Sequence, residues 1–175
     1  MLARLTRTDP LTGLANRRAW DEQLARELAR AQRSGAAVSV ALLDLDEFKR
    51  FNDAHGHQAG DRLLVEAAAA WGAQLRGIDV LCRWGGDEFA LLLPNCSERE
   101  AQEVITRVAR ATPSLQSSTA GIAAWDGRET AHDLLRRADT ALLEQKRTQR
   151  RCGGRRPCTP AAQLTTPRPR GDRSL

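Results

Sequence analysis

Two acidic residues follow a pair of glycines in Gly85-Gly86-Asp87-Glu88, between the apolar runs 78–82 and 90–94. Glycine accepts the positive φ values of a tight turn, so the stretch predicts a β-hairpin with both carboxylates at its tip. With no Cβ at Gly85 or Gly86, a ligand can approach the backbone, and the carboxylates can hold a hard cation. A third acid, Asp44, ends the apolar run 38–43 and is followed by Leu45-Asp46. A carboxylate at the end of a buried strand is costly unless something pairs with it. Hard oxygen ligands with room left for phosphate oxygens suit Mg²⁺, with Mn²⁺ as a substitute. Such an ion could polarise an α-phosphate, help deprotonate a ribose hydroxyl and shield the transition state. Each acid alone reads more simply as a surface residue at a strand end. Three that converge beside a double glycine favour a metal-assisted nucleotide site.

A second constellation is Arg76-Gly77-Ile78-Asp79, a few residues before the hairpin turn. Taken by itself, an arginine three residues ahead of an aspartate reads as an ion pair. The segment 47–60, EFKRFNDAHGHQAG, is polar and dense in residues able to bind ligands.

The elements that must position these groups follow from periodicity. Asn16 could cap a helix in which Trp20, Leu24 and Leu28 recur every four residues, ending near Ser34-Gly35. The run VSVALLDL over 38–45 predicts a buried strand. A second helix from Asp61 carries Leu64, Ala68, Trp71 and Leu75 on one face. Ser97 and Glu100 form a capping box ahead of a third helix with Ala101, Val104, Ile105 and Val108 inward. A strand over 117–125 and a last helix capped by Thr130 complete the pattern. Without the first helix the order is β-α-β-β-α-β, an α+β, ferredoxin-like arrangement with a mostly antiparallel sheet. There the first strand and the hairpin are neighbours, which predicts that Asp44, Asp87 and Glu88 meet.

A chain of 175 residues is expected to hold one domain. No apolar run is long enough for a membrane span, and the start lacks a signal-peptide core, so the expected location is the cytoplasm. Four cysteines, at 82, 96, 152 and 158, lack paired spacing and read as reduced thiols. Residues 151–175 hold six arginines against one aspartate, a net of +5 that equals the charge of the whole chain. The remainder is therefore neutral and offers no charge-based case for binding DNA or RNA. The tail is Gly-, Pro- and Arg-rich without periodicity and reads as disordered. A nucleic-acid or anionic-membrane role for it is the rival reading.

Together these stretches resemble the GGDEF family, the diguanylate cyclases that make cyclic di-GMP from GTP. The signature is Arg83-Trp84-Gly85-Gly86-Asp87-Glu88-Phe89, and three further blocks match in order: 9–18, 44–61, and 138–142 with Lys146. The resemblance implies a palm-like, nucleotidyl-cyclase-type domain over 9–150, with 1–8 as a lead-in. Asp44, the Leu45 carbonyl, Asp87 and Glu88 would hold Mg²⁺, with Asp87 as base for the 3′-hydroxyl and Glu88 and Lys49 assisting. Asn52 and Asp61 would read the guanine. Lys49, Lys146 and Arg150 would contact the triphosphate, with Phe48, His57 and Gly86 lining the site. Arg76 and Asp79 would bind the product, cyclic di-GMP, as an inhibitor.

Because one domain would hold one GTP, the resemblance also implies a two-fold homodimer. Low activity in dilute solution is expected, since nothing evident in residues 1–8 holds two domains together. The rival to an active cyclase is a domain that only binds cyclic di-GMP or GTP. Four departures from the family pattern bear on turnover. Leu143 replaces a tyrosine, Gln149 and Arg151 replace the glycine and asparagine beside Arg150, Ser118-Thr119-Ala120-Gly121 alters a serine–apolar–glycine block, and the segment 108–118 is short.

Overall fold

The computed structural model describes residues 7–114 and 116–151. In chain order the elements are β1 (Ala15–Asn16), α1 (Arg17–Ser34), β2 (Val38–Leu45), α2 (Phe48–His55), α3 (His57–Gly72), β3 (Val80–Gly85), β4 (Glu88–Pro94), α4 (Glu98–Arg110), β5 (Ser118–Ala124) and α5 (Ala131–Arg151). The five strands form one sheet in the order β1-β3-β4-β2-β5. All pairings are antiparallel except the two-residue β1, which runs parallel to the edge of β3. Strands β2 to β5 with α3 and α4 reproduce the expected β-α-β-β-α-β order.

The unbroken apolar character of β2 has a direct cause: both of its faces are covered. Ala41, Leu43 and Leu45 point to the side where α3 and α4 bring Leu63, Leu64, Trp71, Ile105 and Val108. Val38 and Val40 point to the other side, against Trp20, Leu24 and Leu28 of α1 and Leu134 and Ala138 of α5. The helices outside the ferredoxin-like core thus close the second face of the sheet. Trp71 meets Phe89 edge to face with ring centroids 4.9 Å apart, a geometry that aromatic quadrupoles favour.

Capping follows the expected residues. The Asn16 side chain accepts from the Ala19 N–H, and α1 ends at Gly35 with φ of 70°. Ser97 and Glu100 form the capping box of α4, and the Thr130 hydroxyl accepts from the Asp133 N–H at the start of α5.

The segment 47–60 differs from the sequence reading. It folds into α2 and the first turn of α3, which starts at His57 rather than Asp61. Phe48 and Phe51 of α2 pack on the core, and that apolar pair orders a stretch that the sequence marks only as polar. Gly56, at φ 84°, separates the two helices. The hairpin turn also sits one residue later than expected: Gly85 pairs with Glu88, leaving Gly86 and Asp87 at the apex. Gly86 has φ of 54°, a left-handed conformation that disfavours side chains.

Helix α5 lies unusually close to β5. A Cβ at Gly121 would stand 2.2 Å from both the Ala138 carbonyl oxygen and the Leu142 nitrogen. The glycine of the altered 118–121 block is what allows that approach.

Among the described residues Cys82 and Cys96 are free and buried, and burial pushes the Cys82 thiol up to about 12. Cys152, Cys158 and the expected disordered tail beyond Arg151 lie outside the described residues, as do residues 1–6 of the lead-in. Arg7 and Thr8 engage the domain: Arg7 pairs with Glu22 at 2.6 Å, and Thr8 bridges to Ala15. No helix among the described residues is long and apolar enough to cross a membrane.

Candidate active site at the hairpin tip

Strand β2 is interior, so the backbone of Asp44 has a neighbour on each side: Glu88 of β4 and Thr119 of β5. Alternation along β2 turns the Asp44 side chain toward α5, the same way as Val38 and Val40. There it meets Lys146, whose Nζ lies 2.7 Å from Asp44 Oδ2, with the two side chains 27% and 13% exposed. Burial pushes the Asp44 carboxyl above its ordinary range. The Lys146 ammonium opposes that shift without cancelling it, and the like charges of Asp87 and Asp46 add to it. A poorly solvated carboxylate that holds an ammonium against it is a site in demand of positive charge.

The three acids are adjacent along the backbone but do not form the cluster that their spacing suggested. Among the described residues no group of three or more His, Cys, Asp or Glu is gathered closely enough to hold a metal ion by itself. The reason is geometric. Asp87 occupies the turn apex, whereas Glu88 is the first residue of β4 and borders a cleft of about 400 Å³ between α1 and α5, with Trp84, Arg136 and Asp139. Asp44 meanwhile has Lys146 as its counterion. The donor set still fits a hard divalent ion that draws part of its coordination from a ligand's phosphates.

On the other side of the β2 terminus, α2 and α3 meet at a tight corner. Gly60 is buried, and a Cβ there would lie 1.8 Å from Asn52 Oδ1 and 3.2 Å from Phe48 Cζ. Asn52 Oδ1 is itself buried without a hydrogen-bond partner among the described residues. An orphaned buried acceptor is expensive, and it suits a ligand that brings an N–H group. Asp61 follows on the exposed start of α3, and Lys49 and His57 are exposed nearby in the sequence. Gly60→Ala is expected to push Asn52 from this corner and weaken guanine-nucleotide binding roughly a hundredfold, about two lost hydrogen bonds' worth. Titration with a GTP analogue would measure it, and unchanged affinity would remove Asn52 from the binding site.

Sequence reasoning passed over the residues that hold the hairpin in place. Arg83 donates to the Gly86 carbonyl from Nε and Nη2 at 3.0 and 2.8 Å, and to the Asp9 carboxylate from Nη1 at 3.2 Å. Asp9 also accepts from the Thr12 N–H and hydroxyl. Burial works against the Asp9 charge, but the Thr12 and Arg83 bonds outweigh it and keep the carboxyl below its usual range. The entry turn 9–14 is thereby tied to the signature turn. The available signal was a lone charge at the end of the apolar run Val80-Leu81-Cys82-Arg83. Asp46 was passed over too: it accepts from the hydroxyls of Ser117 and Thr119, each at 2.5 Å.

Arg150, on the last turn of α5, is exposed and has no ion-pair partner among the described residues. At the opposite end of the hairpin, Arg76 and Asp79 pair with each other. Arg76 Nη2 lies 2.8 Å from Asp79 Oδ1, and the Arg76 backbone N–H donates to Asp79 Oδ2. The Asp79 side chain is 1% exposed and that of Arg76 47%. Arg76 Nε and Nη2 are both engaged by Asp79, and Nη2 also donates to the Pro94 carbonyl, while the guanidinium stays half exposed.

Residues 6–152 match the family described as diguanylate cyclase, GGDEF domain. The chain belongs to the GGDEF family. It is 40% identical over 153 residues to diguanylate cyclase DgcP of Pseudomonas aeruginosa, covering 82% of this chain and 23% of that protein. It is 35% identical over 156 residues to the response regulator PleD of Caulobacter vibrioides, covering 82% and 34%. The chain thus spans about a quarter to a third of the length of these curated relatives.

Solved GGDEF structures agree on the fold. Diguanylate cyclase SiaD of Pseudomonas aeruginosa, in complex with its activator SiaC, superposes with a TM-score of 0.78 at 42% identity, covering 81% of this chain and 58% of that one. The GGDEF domain of DgcB from Caulobacter crescentus, in complex with c-di-GMP, gives 0.78 at 32% identity, covering 85% and 92%.

Proposed function

We propose that this GGDEF domain is an active diguanylate cyclase that condenses two GTP into cyclic di-GMP and two pyrophosphates. The observation that carries the reading is the Asp44–Lys146 pair: at 2.7 Å it stores, side by side, a site for a cation and a site for a phosphate. Mg²⁺, or Mn²⁺, supplies Lewis acidity at the α-phosphate when bound. Asp44, the Leu45 carbonyl, Asp87 and Glu88 are the residues to hold it. Asn52 and Asp61 read the guanine, in a corner lined by Phe48, with His57 and Gly86 along its approach. Lys49, Lys146 and Arg150 hold the triphosphate, where ammonium and guanidinium groups match phosphate oxygens.

Asp87, with Glu88 and Lys49 assisting, takes the proton from the ribose 3′-hydroxyl. The resulting oxygen attacks the α-phosphorus of the facing nucleotide and its pyrophosphate leaves. The same exchange in reverse closes the ring, so two half-sites must face one another in a two-fold homodimer. GTP as substrate assigns the reaction to the cytoplasm. The decisive experiment is product analysis with GTP and Mg²⁺ at several protein concentrations, with Asp87→Ala alongside. Cyclic di-GMP from the wild type alone, at a rate per enzyme that climbs with concentration, is the expected result. GTP bound but never converted would leave a receptor.

Product inhibition at Arg76 and Asp79 belongs to the same proposal, supported by the outward face of the Arg76 guanidinium. Arg76→Ala is expected to weaken inhibition by cyclic di-GMP at least tenfold, since it removes a charged donor worth more than about 1.4 kcal/mol. Initial rates at increasing product would test this. Inhibition at unchanged concentrations would return Arg76 to a purely structural ion pair.

A further inference from the structure

Two of the positions at which this chain departs from the family pattern touch each other. Gln149 Oε1 lies 2.9 Å from Thr119 Oγ1, and Thr119 Oγ1 lies 2.5 Å from Asp46 Oδ1. Thr119 is 3% exposed. Its hydroxyl has a single proton, and the Asp46 carboxylate at the shorter distance can only accept it. The Gln149 amide must then present its NH₂ to Thr119, the orientation that an amide flip about the terminal bond provides. The direction of the relay is thus set: Gln149 donates to Thr119, and Thr119 donates to Asp46. Asp46 accepts a further proton from Ser117 and is anchored by its backbone N–H to the Ser117 carbonyl.

The placement of this relay matters for the site. Thr119 is the direct partner of Asp44 across the β2–β5 ladder. Gln149 is three residues beyond Lys146, on the same face of α5. The C-terminal part of α5 is therefore held at two points: Lys146 on Asp44, and Gln149 on Thr119 and Asp46. The first point is lost whenever Lys146 leaves Asp44 to bind phosphate. The second persists.

We propose that Gln149 is a positioning residue that, through Thr119 and Asp46, holds the last turn of α5 against β5 and so keeps Lys146 and Arg150 at the triphosphate. The functional half of this inference rests on the cyclase reading; the structural half does not. It also gives the replacement of a flexible glycine by Gln149 a purpose.

The test compares wild type with Gln149→Ala, Gln149→Glu, Thr119→Val, Thr119→Ser and the Gln149→Ala/Thr119→Val double variant. In ligand-free protein, backbone amides of the last turn of α5 are expected to exchange with deuterium roughly three- to tenfold faster in Gln149→Ala, the range one hydrogen bond spans. Unchanged exchange overturns the clamp whether or not the domain makes product. The Kd for a GTP analogue with a non-cleavable α–β phosphate bridge, and the KM for GTP, are expected to rise by a similar factor, with kcat less affected. Gln149→Glu should behave as Gln149→Ala, because a carboxylate cannot donate to Thr119. Thr119→Ser should retain wild-type values, and the double variant should be no worse than either single one. Additive effects, or a Gln149→Glu variant that binds as the wild type does, would overturn the relay. Faster exchange with no GTP affinity in any variant, wild type included, would sustain the clamp and reject the cyclase reading.

Discussion

Gly121→Ala is expected to destabilise the domain by about 3 kcal/mol, the upper part of the range for overpacking a closed core. For a domain of this size that lowers the melting temperature by about 10 °C. The added methyl group would sit 2.2 Å from the Ala138 oxygen and the Leu142 nitrogen. Both are backbone atoms of α5 and cannot rotate aside, so the whole helix must move off β5. The same displacement carries Lys146 away from Asp44, so residual folded protein should also bind nucleotide poorly. Gly72→Ala is the control. A Cβ at the end of α3 meets nothing within 4 Å, and replacing a helical glycine with alanine should add about 0.5–1 kcal/mol. Urea denaturation of both variants checks the pair; equal stability for Gly121→Ala and wild type would mean that α5 sits further from the sheet.

Asp44→Asn is expected to separate activity from stability. Turnover should fall roughly a thousandfold, the scale of losing one charged group from a preorganised transition-state environment. Stability in EDTA should not fall with it. Burial raises the folded-state pKa of Asp44 above its unfolded value, the Lys146 ammonium opposing without cancelling. The stabilisation this implies is fully present below the unfolded pKa and is lost as pH rises through the raised folded value. A neutral asparagine never incurs that loss, so at pH 7 the variant should melt no lower than the wild type. Mg²⁺ with a GTP analogue should raise the melting temperature of the wild type more than that of the variant, by mass action on the folded state. A variant that melts well below the wild type in EDTA would show that the Lys146 pair is a net structural asset.

Much of the site was legible in the chain because its groups lie in short, rigid contexts. Gly85-Gly86-Asp87-Glu88 announces a hairpin turn through its paired glycines, although the Arg83–Asp9 tie that holds the turn spans distant residues, and Asp44 marks the end of a strand whose apolar run is unmistakable. The core faces of α1, α3 and α4 followed from 3.6-residue periodicity, and the capping residues Asn16, Ser97 and Thr130 from local hydrogen bonding. The helical 48–55 segment was not legible, because its order comes from Phe48 and Phe51 packing on a core assembled from distant strands.

Spacing along the chain singled out Asp44, Asp87 and Glu88, and the family resemblance added Lys146 and Arg150 on the last helix. Only the tertiary structure decided what each does on arrival. It gave Asp44 to Lys146 rather than to a three-acid cluster, and turned Glu88 toward α1 and α5. It left Asn52 with a buried oxygen under Gly60 that has no partner among the described residues, closed Arg76 on Asp79, and joined Gln149 to Asp46 through Thr119. These outcomes depend on side-chain direction and desolvation, which are set by elements tens of residues apart in sequence. A local pattern can name a charge, but its counterion is chosen by the fold.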